Sequence, residues 1–175
     1  MFKILKKYQP AIAFVVKFFL VYGVLTLLYN YYLSHYNQEP DSITQLVAYQ
    51  SEKLMDVINY ESTTHILDGE SFVRFLVRDK PIAVIVEGCN SISVIILFLS
   101  FVIAFKGSFL NTILFILGGS LLIYLVNLFR IVLLLIGFYE VPEYKDFLHA
   151  IIFPLIIYGI VFLMWMIWVS KLAKK

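Results

Sequence analysis

The chain has a single cysteine, Cys89, and few charges, and it carries no internal repeat or low-complexity segment. One thiol excludes an intramolecular disulfide. No Cys/His cluster has metal-ligand spacing, so the sequence gives no metal site. Charged types reach only 15% of the 175 residues, where a soluble domain carries about a quarter. Hydrophobic types stand at 61% and mean hydropathy at +0.87, which points to a membrane protein of one-domain size. A net charge of +2 is too small to draw nucleic acid, and no basic stretch interleaved with stacking aromatics lies outside the apolar runs.

The charges that are present are unevenly placed. Lys3, Lys6 and Lys7 precede an apolar run from Ala11 to Asn30 that is too long for a signal peptide and is followed by no small-residue cleavage site. Tyr29, Tyr31, Tyr32 and Tyr36 follow it as an aromatic belt. We expect an uncleaved first span over about 11–33. Lys17 sits about two turns inside it, either snorkelling to the near interface or serving as a functional charge.

Residues 34–88 are polar and long enough for a small α+β insertion. Asp41 or Ser42 can cap a helix, with Gln45 completing a capping box from Ser42. Ile43, Leu46, Val47, Leu54, Val57 and Ile58 repeat at helical spacing and define an apolar face. The period then falls to two, predicting strands at Ser62 to Leu67, Ser71 to Arg78 and Ile82 to Glu87. Asp68-Gly69 and Asp79-Lys80-Pro81 are the predicted turns. In the middle strand Val73, Phe75 and Val77 share one face, and Phe72, Arg74, Leu76 and Arg78 the other. The insertion's two histidines, His35 and His65, read as surface residues.

Three further apolar stretches follow. Spans are expected over about 89–105, 111–138 and 147–169, the first of them about 25 Å long at the helical rise. Lys106-Gly107-Ser108 is a tight turn between the first two, and Gly118-Gly119-Ser120 allows close helix contact. Val141-Pro142-Glu143 breaks the chain, and Pro154 predicts a kink. The expected fold is thus an all-α membrane protein: a four-helix transmembrane bundle with the insertion 34–88 between spans one and two.

With four spans, Lys3, Lys6, Lys7, Lys106, Lys171, Lys174 and Lys175 share one side with no acid, and all 12 acidic residues fall on the other. The positive-inside rule then places both termini in the cytoplasm and the insertion outside. Spans two and four run inward and span three outward. Cys89, Arg130 and His149 therefore collect at one depth, in the outer leaflet, with Arg130 about 12 Å below Phe138. A thiol beside an arginine and a helix N-terminus is biased toward thiolate, the reactive form. An arginine at membrane depth costs at least ~2.5 kcal/mol, so it needs a partner and a use. Asn127, one turn before Arg130, shares its face, and a histidine can shuttle a proton at neutral pH. Bland readings stand beside these: an inert buried cysteine, an Arg130 paired structurally with Glu87, and an interfacial His149.

Glu87-Gly88-Cys89-Asn90-Ser91 opening a span, then Asn127-Leu128-Phe129-Arg130-Ile131, then His149, resembles the exosortase/archaeosortase family over about Val86 to Trp168. Small size and a long outer segment are most similar to its F-type exosortases. One departure is Ser91, where the family pattern has glycine. The resemblance implies a membrane-embedded cysteine transpeptidase of the bacterial inner membrane, with its active site on the extracytoplasmic side. Cys89 would be nucleophile, Arg130 (with Asn127) oxyanion holder and His149 acid and base, with Glu87 and Asn90 supporting. It implies no metal and no cofactor. Its partners would be the C-terminal sorting-signal tails of exported proteins, the lipid bilayer, and a lipid or glycan acceptor. The rival is a non-enzymatic assembly or transporter-accessory subunit with a structural Arg130, although no inverted repeat of the transporter type is present.

Overall fold

The structure, a computed structural model, describes residues 2–36, 38–105 and 107–172. Lys106, Lys174 and Lys175, which entered the charge argument above, lie outside the described residues. Two apolar helices are long: α1 (Phe2–Leu33) and α4 (Phe109–Glu140). A third helical stretch, Pro142–Lys171, joins them as long and apolar enough to cross a membrane. It runs through a 3₁₀ turn, α5 (Lys145–Phe147), a π turn at Leu148–Ile152, and α6 (Phe153–Ile167). Pro154 has no N–H to give to the helical ladder, and the widened π turn sits immediately before it, where the ladder must adjust.

The second expected span is the short one. Its helix, α3 (Ile92–Ala104), has 13 residues and is about 20 Å long, against a hydrocarbon core of about 30 Å. Glu87–Cys89 forms a 3₁₀ turn ahead of it instead of joining it. The chain is thus a mostly helical membrane protein with three candidate spanning helices, one short apolar helix and a small sheet.

The insertion is α+β, as its periodicities predict. Helix α2 (Ser42–Val57) is capped by Asp41, whose carboxylate accepts from the N–H groups of Ile43 and Thr44. No Ser42 box forms, because Gln45 Nε2 instead donates to the Pro40 carbonyl at 2.6 Å. The buried stripe is also rotated from the expected one. Thr44, Val47, Ala48, Ser51 and Met55 face inward, while Leu46, Val57 and Ile58 are exposed. Strands β1 (Ser62–His65), β2 (Val73–Val77) and β3 (Lys80–Ile85) form an antiparallel meander. Arg78 and Asp79, both with positive φ, make the two-residue hairpin, so the turn lies one residue earlier than predicted. Pro81 then falls in edge strand β3, where the register shifts and no ladder donor is needed. Val73, Phe75 and Val77 are the buried face of β2, as alternation requires.

Two cores result. One joins Val47, Ala48 and Met55 of α2 and the inner face of β2 to Leu128, Ile131, Val132 and Leu135 of α4. The other packs Phe98 and Val102 of α3 against Ile123 of α4 and Val161, Met164 and Trp168 of the last helical stretch. Helix α4 belongs to both, so it fixes the insertion relative to the bundle. Trp168 is fully buried, stacked on Phe115 with ring centroids 5.0 Å apart.

Candidate functional site

The site begins where β3 ends. Val86 is still extended, and the chain then tightens into the Glu87–Cys89 turn, closed by Cys89 N–H on the Val86 carbonyl at 2.8 Å. Ser91 adopts φ 66, a left-handed conformation that favours glycine, and α3 starts at the next residue. A glycine would take this conformation freely, and serine occupies it at some strain.

Asn90 is fully buried and holds the turn in place. Its Nδ2 donates to the Tyr29 hydroxyl at 2.8 Å and to Thr44 Oγ1 at 3.2 Å, and its Oδ1 accepts from Ile92 N–H at 3.0 Å. Thr44 in turn donates to the Asp41 carboxylate, which also receives the Tyr32 hydroxyl at 3.3 Å. One polar chain thus ties α1, α2 and the start of α3 together. The belt tyrosines Tyr29, Tyr32 and Tyr36 have inward partners, since Tyr36 and Tyr32 both reach Ser42 Oγ. With its polar atoms engaged this way, Asn90 fixes the end of the turn that carries Cys89.

From the other side, Asn127 of α4 is 1% exposed and donates from Nδ2 to the Cys89 carbonyl at 2.7 Å. That bond puts Cys89 and this turn of α4 at one level of the bundle. Arg130 follows three residues on. Half-buried Cys89, Arg130 and exposed His149 of the π turn line one cavity of about 40 Å³, walled by Ile85, Ile131 and Leu134 among others. Helix α4 approaches the π turn closely, because a Cβ at Gly137 would stand 2.8 Å from Leu148 Cδ1.

Arg130 Nε is buried with no hydrogen-bond partner, as is Asn127 Oδ1. Among the described residues the ion pairs are Lys53 with Glu52 and Asp56, and Arg74 with Glu70. Pairing of Arg130 with Glu87, the bland alternative, is not among them. Glu87 instead lines a separate cleft of about 430 Å³ with Gly88, Tyr22, Thr26, Tyr29 and Ser93. Sequence reading did not single out Tyr22, Thr26 or Ser93. Their trace was the helical spacing of Tyr22, Thr26 and Tyr29, one polar face on an otherwise apolar helix. Among the described residues no group of three or more His, Cys, Asp or Glu side chains is placed to hold a metal ion.

What the arrangement offers chemically is a thiol, an unpaired guanidinium N–H and an imidazole around one small space. No family model matches the chain, and no curated protein or solved structure matches it either. The class that the fold itself defines is a membrane protein with three candidate spanning helices.

Proposed function

We propose that this protein is a membrane-embedded cysteine transpeptidase of the exosortase kind, cleaving a C-terminal sorting signal of exported proteins and passing them to a surface acceptor. The observation that carries this reading is the buried Arg130 Nε–H without a partner, on a residue that shares a cavity with Cys89 and His149. Leaving such a donor unpaired costs about 1–3 kcal/mol, more for a charged group, so a structural role for Arg130 is a poor use of it.

In the proposed reaction His149 takes the Cys89 proton and the sulfur attacks the scissile carbonyl carbon. Arg130 holds the resulting oxyanion while Asn127, bonded to the Cys89 carbonyl, keeps the turn and the guanidinium in register. Collapse breaks the C–N bond, and His149 returns its proton to the leaving amine, giving a thioester. His149 then removes the proton of the acceptor nucleophile, which attacks the thioester and frees the thiol. In this reading α3 crosses with its flanking turns as a fourth span, both termini are cytoplasmic, and the cavity opens on the extracytoplasmic side of the bacterial inner membrane.

Immunoblots of a client protein and of this protein in the same cells test the reading. Cys89→Ser should stop client processing at normal protein level, because an alcohol is far less acidic than a thiol. Arg130→Lys, which keeps charge but loses the planar fork of donors, should be nearly as damaging. His149→Ala should impair turnover and spare folding, since His149 is exposed. Normal processing in the Cys89→Ser strain, with loss of abundance in Arg130 variants, would leave the scaffold reading in its place.

A further inference from the structure

At the opposite end of the bundle from Cys89, α3 stops short beside a longer α1. The two helices are aligned at one end by the Asn90–Tyr29 bond and at the other by Phe14, whose ring meets Phe101 and Phe105 edge-on at 5.4 and 5.3 Å. Between Phe14 and Tyr29 lie about 22 Å of helix, so α1 continues well past the end of α3. This mismatch leaves a groove of about 540 Å³ lined by Pro10, Ala11, Phe14 and Lys17 of α1 and by Ala104 and Phe105. Among the described residues that line it, the walls are apolar except for one cation.

Lys17 is exposed, and it takes part in no ion pair among the described residues. No acidic residue occurs before Glu39, between Glu87 and Glu140, or after Asp146, so α1, α3 and the facing lengths of α4 and α6 contain none. No side chain of these helices can supply the counter-charge. It must also suit a groove whose remaining surface is alkyl and aromatic, beside a helix too short for the hydrocarbon core.

We propose that this groove seats an anionic phospholipid, with its phosphate on the Lys17 ammonium and an acyl chain along Phe14 and Phe105. The lipid headgroup sinks beside the short helix and fills the step that the bilayer would otherwise have to close by thinning. The site is independent of the cysteine chemistry and holds whether or not the protein is an enzyme.

Native mass spectrometry of the purified full-length protein, titrated with phosphatidylglycerol or phosphatidylcholine, tests it. Phosphatidylglycerol should be retained preferentially. Lys17→Gln should weaken its retention about fivefold, the size expected for one lysine at an anionic lipid surface. Lys17→Arg should keep it, and Ala13→Trp, at another lining position of α1, obstructs the groove without touching the charge and should lose it. Equal retention of the two lipids, or Lys17→Gln matching the unaltered protein, would overturn the proposal. So would displacement of phosphatidylglycerol by inorganic phosphate at equal concentration, which would make this a free-anion site. Should Lys17→Gln fail to fold, the Ala13→Trp variant and the lipid preference of the unaltered protein decide the matter.

Discussion

Ser91 and Asn90 are neighbours with opposite effects on stability. Ser91 holds a left-handed backbone that costs a non-glycine residue about 1–2 kcal/mol, partly offset by its hydroxyl bond to the Asn90 carbonyl at 2.6 Å. Ser91→Gly should therefore raise thermal stability by up to about 1 kcal/mol, while Ser91→Val, β-branched at positive φ, should lower it. Equal melting temperatures for Ser91→Val and the unaltered protein would contradict the conformation. Asn90→Ala leaves the Tyr29 hydroxyl, Thr44 and the Ile92 N–H without their partner, at a cost of roughly 3 kcal/mol. Its signature should be falling protein abundance, in contrast to Cys89→Ser, where abundance holds.

At the scale of elements, α4 does two jobs along its length. Its first half packs into the bundle, where an added Cβ at Gly119 would stand 2.4 Å from Phe98 Cζ and 2.6 Å from Met164 Cε. Phe98 is fully buried and has no room to turn aside. Gly119→Ala should force α4 off α3 and α6 and cost about 1–3 kcal/mol. Gly118 has nothing within 4 Å of its Cβ direction, so Gly118→Ala should be neutral or gain up to about 1 kcal/mol of helix propensity. Thermal unfolding in detergent separates the pair, and equal losses would mean that the helices do not meet here. The second half of α4 carries Asn127 and Arg130 while its other faces enter the insertion's core, so insertion and site share one support.

For the molecule as a whole, all acids lie in the insertion, at the last residue of α4 (Glu140) or in the segment after it, and the sequence before Glu39, from 88 to 139 and after Asp146 has basic residues and no acid. In the proposed topology, reporters fused after Gly107 and at the C-terminus should both read as cytoplasmic, and reporters near Asp56 and Glu143 as exported. An exported reading after Gly107 would mean that α3 does not cross and would return the molecule to three spans. Its 13 residues make that junction the informative one.

Composition and charge placement were enough to determine the membrane character, because apolar runs and acid-free helices need no partner to be recognised. Period also sufficed for the helix and three strands of the insertion, since alternation fixes which face of β2 is buried whatever covers it. Depth counting along the helices brought Cys89, Arg130 and His149 to one end of the bundle. The rest depended on contacts between residues far apart in the chain. Nothing local to Asn90 foretold that Tyr29 and Thr44 would share its amide, or that Asn127 would bond to the Cys89 carbonyl. The rotation of the buried face of α2 was set by what it packs on, the second half of α4, which a helical wheel does not contain. The groove at Lys17 exists because α3 ends short of α1, and only the packed structure compares the two lengths side by side.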